Sequence, residues 1–311
     1  MKKLLLSISF LFFIAFMIKA QEVSIDVNGC TLKGSLEIPK ANKPIDVVLI
    51  ISGSGPTDRD GNSSVFPGKN NSLKMLADSL FENGIASLRY DKRGVGASDK
   101  VKESDLTFDM YINDAVEWIK SLRKDKRFSK VIIAGLSEGS LIGMIAAERT
   151  DIDKFISLCG AGRPAYSLIE EQLKNNKVPN ELLNESKAII DSLKLGITVK
   201  KVNPSLISIF RPSVQPYMIS WFKYDPVKEI SKLSVPILVI EGTTDIQIDV
   251  KDAKLLAAAN KKAKLDIIEN MNHILKIVPT RDRMKNLQSY YNPNLPLSAK
   301  LCKSIIKFIK Q

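Results

Sequence analysis

Val131-Ile132-Ile133-Ala134-Gly135-Leu136-Ser137-Glu138-Gly139-Ser140 is the stretch on which the reading of the fold turns. The apolar run Val131 to Ala134 reads as a strand, Ser140 to Glu148 has the pattern of a helix, and Gly-x-Ser-x-Gly stands between them. A serine at such a junction is expected in a sharp, strained turn that lifts its hydroxyl clear of the sheet. Neighbours without bulky Cβ groups are needed there, and the glycines two before and two after Ser137 supply that room. A five-residue pattern is weak evidence by itself, so the reading depends on an acid and a histidine arriving later in the chain.

The chain has one histidine, His273, which follows the strand-like run Leu265 to Ile268 through the short loop Glu269 to Asn272. Serine is a poor nucleophile near neutral pH and needs an adjacent base, a role that imidazole fills best. Only His273 is available for it. A surface or capping role is the plain alternative for a lone histidine, and the preceding elbow weighs against it.

The third member is expected to be a carboxylate that holds the imidazole tautomer and stabilises the imidazolium. Val235-Pro236-Ile237-Leu238-Val239-Ile240 reads as a buried parallel strand, and Asp245 lies in the loop leaving its carboxyl end. Two rivals lie close. Asp249 falls where the helix Val250 to Asn260 should begin and is more simply its N-cap, while Glu241 reads as still within the strand end. Backbone N–H groups aimed at an oxyanion are expected from Glu138, directly after the nucleophile, and from Ser54. The latter sits in the loop Ser52-Gly53-Ser54-Gly55-Pro56, which follows the apolar strand Asp46 to Ile51. A phosphate loop is disfavoured there, because Pro56 removes a donor and no Lys-Ser or Lys-Thr pair follows. The Glu138 side chain needs no role beyond complementing the dipole of the helix it begins.

Four segments together carry a family resemblance: Gly-Ser-Gly-Pro-Thr-Asp-Arg-Asp-Gly (53–61), Asp-Lys-Arg-Gly-Val-Gly-Ala-Ser (91–98), Gly-Leu-Ser-Glu-Gly (135–139) and Met-Asn-His (271–273). The chain resembles the α/β-hydrolases. Within them it is most similar to bacterial carboxylesterases that carry a Gly-Ser-Gly-Pro-x-Asp-Arg-Asp loop and are grouped with serine aminopeptidase-like hydrolases. The resemblance implies the α/β-hydrolase fold and the triad roles at Ser137, Asp245 and His273. Leu136 stands where many relatives have histidine, and Ser52 where many have the histidine of a His-Gly loop; neither position carries the proton transfer. Asp58, Arg59, Asp60, Asp91 and Arg93 are read as charges that pin loops rather than as substrate contacts.

Strand-like runs at 23–28, 31–38, 46–51, 85–89, 131–134, 154–158, 235–240 and 264–268 alternate, after a first hairpin, with helical patterns. That is the signature of a mostly parallel, doubly wound eight-stranded sheet. The core is expected at 21–160 and 225–311, and the excess, 161–224, as a helical lid inserted after the sixth strand. Helical stretches are expected there at Tyr166 to Asn175 and Asn180 to Leu193. A cap over the carboxyl ends of the strands would shape the substrate pocket. Arg211 and Gln215 are candidates for orienting a polar substrate group, and Tyr217 and Trp221 for lining the pocket, although aromatic residues at helical spacing are more often packing.

Met1-Lys2-Lys3, the apolar run Leu4 to Ile18 and Lys19-Ala20-Gln21 read as a signal peptide cleaved after Ala20, which predicts a secreted or periplasmic protein. A retained anchor is the rival, because Ile18 is a poor match three residues before the cut. No later run is long enough to span a bilayer, so no membrane association is expected after cleavage. The net charge of +12 falls to +9 without Lys2, Lys3 and Lys19, with 43 basic and 34 acidic residues spread along the chain. Diffuse charge without a zinc-finger or RNA-binding signature excludes nucleic acid as the expected partner. Cys30, Cys159 and Cys302 are odd in number and far apart, which argues against a disulfide framework, although one pair stays open in an oxidising compartment. One histidine and scattered cysteines leave no expected metal site, and no cofactor is expected. The expected activity is hydrolysis of small-molecule carboxylic esters through an acyl-enzyme. A peptidase or amidase using the same triad is the alternative, and a non-catalytic binding module is disfavoured by the presence of every triad candidate.

Overall fold

The computed structural model describes residues 20–311, so the expected leader falls, up to residue 19, outside the described residues. Strands β1 (Gln21–Val27) and β2 (Cys30–Glu37) form a hairpin whose turn, Asn28-Gly29, has positive φ at both positions. This is the backbone twist that a two-residue hairpin loop requires, and Asn-Gly adopts it at least cost. There follow β3 (Ile45–Ile51), α1 (Ser72–Glu82), β4 (Ala86–Tyr90), α2 (Phe108–Lys124), β5 (Phe128–Leu136), α3 (Glu138–Glu148) and β6 (Lys154–Leu158). Segment 161–224 holds α4 (Ala165–Asn175), α5 (Asn180–Lys194), α6 (Ile207–Phe210) and α7 (Gln215–Trp221). The chain then returns to the sheet with α8 (Pro226–Ser231), β7 (Ile237–Gly242), α9 (Val250–Ala259) and β8 (Ala263–Ile268). Helices α10 (Arg283–Gln288) and α11 (Ala299–Lys310) finish it.

The strands make one sheet in the order β1-β2-β4-β3-β5-β6-β7-β8. Pairs β1–β2 and β2–β4 are antiparallel and the rest are parallel, which is the α/β-hydrolase arrangement expected. Both faces are covered, and this explains why the central strands read as unbroken apolar runs instead of alternating ones. Val47, Leu49, Val131, Ile133, Ile237 and Val239 point into one core beneath α2, α3, α8 and α9. Their neighbours Val48, Ile50, Ile132, Ala134, Leu238 and Ile240 point into the other, beneath α1 and α11. Helix α11 shows the spacing that makes this work: Leu301, Ile305, Phe308 and Ile309 are buried while its lysines face water. The 161–224 segment has a core of its own, built from Leu173, Ile189, Ile190, Leu193, Phe210 and Met218.

The chain runs from β3 to its neighbour β4 on one side and then crosses back to β5 on the other. At such a reversal the loops leaving the carboxyl ends of adjacent strands diverge and open a crevice, so the exits of β3 and β5 are where a ligand site belongs.

Candidate active site

Ser137 sits between β5 and α3 at φ 55°, ψ −119°, a conformation that L residues rarely adopt. It is partly exposed, whereas every other residue from Val131 to Ala147 is buried. The flanking glycines are required by contact as well as by strain. A Cβ on Gly135 would run into the backbone of Gly139, and one on Gly139 into the carbonyls of Ile51 and Ser52. The motif is thus a packing solution that lets the elbow close against the end of β3.

Asp245 leaves β7 and is fully buried. Its Oδ1 accepts the backbone N–H groups of Gln247 (2.7 Å) and Ile248 (3.0 Å), which turns Oδ2 toward His273 Nδ1 at 2.6 Å. The imidazole is buried as well, and its loop is pinned on every side. Asn272 Nδ2 donates to Ser289 Oγ (2.8 Å), and the buried Lys276 ammonium donates to the carbonyls of Asn70 (2.7 Å) and Asn292 (2.8 Å). Asp249 caps α9 through its side chain, which accepts from the Lys251 N–H, and does not approach the imidazole.

A cavity of about 490 Å³ opens at His273. His273 lines it together with Leu136 and the Gly53–Thr57 loop, and Gly53 packs directly on Ser137: a Cβ there would lie 3.4 Å from the serine Cβ. The Ser54 N–H and the Glu138 N–H donate to no acceptor among the described residues. The Phe66–Tyr290 pair, with centroids 5.2 Å apart, forms part of the wall.

Segment 161–224 reaches the cavity, but through α4, with Leu168, Glu171, Gln172 and Asn175. The four residues expected from its later part do not line it. Arg211 is paired with Glu103. Gln215 is fully buried and ties Val199 N–H, Val199 C=O and Phe210 C=O together at 2.7–2.8 Å. Trp221 stacks on Phe108 of α2 at a centroid separation of 5.8 Å, and Tyr217 meets the same ring edge-on at 6.0 Å. Their aromatic surface faces the supporting helix layer, where burial is worth more than a place at a wet cavity mouth.

The charged loop residues are tied into loops. Arg59 Nε donates to Asp91 Oδ2 (3.0 Å), and Asp91 also accepts the N–H groups of Arg59 and Ala97, which staples the 53–61 loop to the 91–98 turn. Arg93 pairs with Asp114 and Arg89 with Asp60 and Glu37, while Asp58 accepts backbone N–H groups from Asp60 and Asn62. The cysteines are unpaired. Cys159, Asp245 and His273 bring potential ligand atoms within 4.8 Å of one another. Burial pushes the Cys159 thiol well above its ordinary value, and Asp245 already occupies Nδ1, so the donor set suits a hydrogen-bonded cluster better than a cation.

Glu241, the other rival acid, makes no hydrogen bond with the imidazole. It is fully buried, one oxygen accepts the Gly242 N–H at 2.8 Å, and the other has no partner as a carboxylate. Burial, and then the Asp245 charge, push its pKa well above the ordinary 4.5. A folded state that keeps a proton which the unfolded chain releases loses stability as pH rises above 4.5. Glu241→Gln lacks that proton exchange, so its melting temperature relative to wild type should climb with pH from 4.5 upward. Its kcat should stay within about threefold, because the amide keeps the neutral donor. Parallel melting curves across pH would show that Glu241 is ionised in the fold.

Comparison with known proteins adds the following. Residues 69–276 match the family described as Serine aminopeptidase, S33. The chain is 30% identical over 261 residues to Esterase EstD of Thermotoga maritima, an alignment covering 82% of this chain and 60% of that protein, so it spans less than two thirds of that relative. Among solved structures, ferulic acid-bound Est1E from Butyrivibrio proteoclasticus has a TM-score of 0.61 at 20% identity, covering 93% of this chain and 100% of that one. A malate-bound thermophilic esterase from Thermogutta terrifontis has a TM-score of 0.56 at 16% identity, covering 94% and 98%. These two likenesses speak for the fold alone. The family match, by contrast, runs from just before α1 to Lys276, through the serine elbow and both loops that meet at His273, and on that extent the protein belongs to the serine aminopeptidase S33 family of α/β-hydrolases.

Proposed function

We propose that this protein hydrolyses carboxylic esters of small or medium acyl chain through a Ser137–His273–Asp245 triad. Ser137 Oγ attacks the ester carbonyl while His273 Nε2 takes its proton, and Asp245 stabilises the imidazolium through Nδ1. The Ser54 and Glu138 N–H groups receive the negative charge of the tetrahedral intermediate. Its collapse expels the alcohol, which takes the proton from His273, and water repeats the sequence in reverse to release the acid and free the serine.

The observation that carries this reading is the 2.6 Å contact between buried His273 and Asp245, 28 residues apart in sequence, at the edge of a cavity shared with the loop against Ser137. Similarity to an esterase over most of the chain supports it. An aminopeptidase would need an unpaired anion to hold a free α-ammonium group, and the cavity walls offer none. Glu171 is paired with Arg163 and Lys251, and Asp249 lies 3.5 Å from Arg281. We read the segment 161–224 as a lid and the leader at 1–20 as directing export to the periplasm or beyond.

A fluorophosphonate probe is expected to label the protein at Ser137. Turnover of p-nitrophenyl acetate and butyrate should exceed that of aminoacyl p-nitroanilides by about 100-fold or more in kcat/KM, because the amine terminus finds no counter-charge. Faster anilide cleavage would replace the esterase reading with the peptidase one.

A further inference from the structure

The Asp-Lys-Arg-Gly turn after β4 contributes one residue that the proposed chemistry does not use. Lys92 is 1% exposed, an unusual fate for an ammonium group, whose removal from water is costly unless its partners compensate. Its Nζ donates to the Gly53 carbonyl at 2.6 Å, pairs with Glu138 Oε1 at 3.2 Å and lies 5.0 Å from the centroid of the Tyr111 ring. A packed apolar group of similar size would hold this space at no greater cost, so stability alone does not account for the cation.

Its two hydrogen-bond partners do. Gly53 C=O and Ser54 N–H are opposite ends of one peptide unit, and in a planar trans peptide they point in opposite directions. Drawing the carbonyl toward Lys92, beneath the loop, therefore sends the Ser54 N–H the other way. That donor has no acceptor among the described residues, and its peptide lies against Ser137. The second partner, Glu138, is the residue whose own N–H follows the nucleophile, and it too is without an acceptor. A single cation thus reaches from the end of β4, across the end of β3, to the start of α3, and touches Glu138 and the carbonyl end of the peptide that carries the Ser54 N–H.

We propose that Lys92, with Glu138 as its counter-charge, is a positioning residue that sets the oxyanion hole, by fixing the Gly53–Ser54 peptide and by polarising it toward a stronger N–H donor. This rests on the serine-hydrolase reading above. The device acts on charge that appears only in the transition state, so its loss should be seen in kcat and not in ground-state binding.

The test uses Lys92→Met and the double variant Lys92→Met with Glu138→Gln, which leaves no unpaired charge should the single variant fail to fold. Rates on p-nitrophenyl butyrate are normalised to active sites titrated with fluorophosphonate, and circular dichroism checks the fold. Whichever variant folds is expected to lose about 10- to 100-fold in kcat, less than removal of a donor itself, with KM within about threefold. Affinity for a trifluoromethyl ketone, which forms a tetrahedral adduct on the serine, should fall in parallel. A folded variant with kcat per active site within threefold of wild type and unchanged ketone affinity overturns the proposal. Absence of ester turnover in the wild type, or its persistence in Ser137→Ala, would instead sink the underlying hydrolase reading.

Discussion

Ser137→Ala is expected to lower kcat on p-nitrophenyl butyrate by about 10⁴-fold or more, without loss of thermal stability. The first part follows from chemistry: no other hydroxyl occupies the elbow, and the base and oxyanion donors have nothing to act through without a nucleophile. The second follows from the local structure. Ser137 Oγ makes no hydrogen bond among the described residues, and the backbone at φ 55° is as unfavourable for alanine as for serine. Ser137→Gly should be equally inactive and should melt higher, because glycine relieves a strain of about 1–3 kcal/mol. Circular dichroism melts and initial rates on the three proteins decide the matter. If Ser137→Ala keeps more than a tenth of wild-type kcat, position 137 is not the nucleophile.

The second large effect separates two aspartates four residues apart. In Asp245→Asn, the N–H groups of Gln247 and Ile248 still demand an oxygen at the Oδ1 position, so the amide nitrogen must face His273 Nδ1. A donor there forces Nδ1 to accept and moves the ring proton to Nε2, where it blocks uptake of the serine proton. A loss of about 10⁴-fold in kcat is expected, the magnitude known for the wrong tautomer in a Ser-His-Asp triad. Asp249→Ala removes the α9 cap instead. It should cost about 1 kcal/mol of stability and change kcat only a few-fold. The reverse pattern, an inert Asp245→Asn and a dead Asp249→Ala, would move the acid to position 249.

Which of these features were legible without coordinates follows from how local their causes are. The elbow, the strand runs and the α9 cap are set by neighbours in sequence: two glycines, an apolar run, an aspartate one residue before a helix. The mostly parallel, doubly wound character of the sheet followed from strand runs alternating with helical patterns, whereas the order in which β3, β4 and β5 lie side by side is seen only in the structure. The wall of the cavity is not a local property. Aromatic character and a place in the insertion leave Tyr217 and Trp221 open to either a pocket or a packing role, with packing favoured, and the face they present is chosen by Phe108, over a hundred residues earlier. Lys92 passed unnoticed between Asp91 and Arg93 because nothing in its own neighbourhood distinguishes a buried lysine from a solvated one.

The sequence by itself determined the architecture, the single histidine on which the proposed chemistry depends, and the short list of carboxylates near it in chain order, because chemical scarcity and periodicity need no third dimension. Only the tertiary structure decided which acid meets the imidazole, that Glu241 is fully buried, that α4 and not α7 walls the cavity, and that Lys92 grips the peptide beside Ser137. Each of those depends on strand ends far apart in the chain being brought to one edge of one sheet. A contact of that kind is fixed by the packing of whole layers, to which no short stretch of residues carries the key.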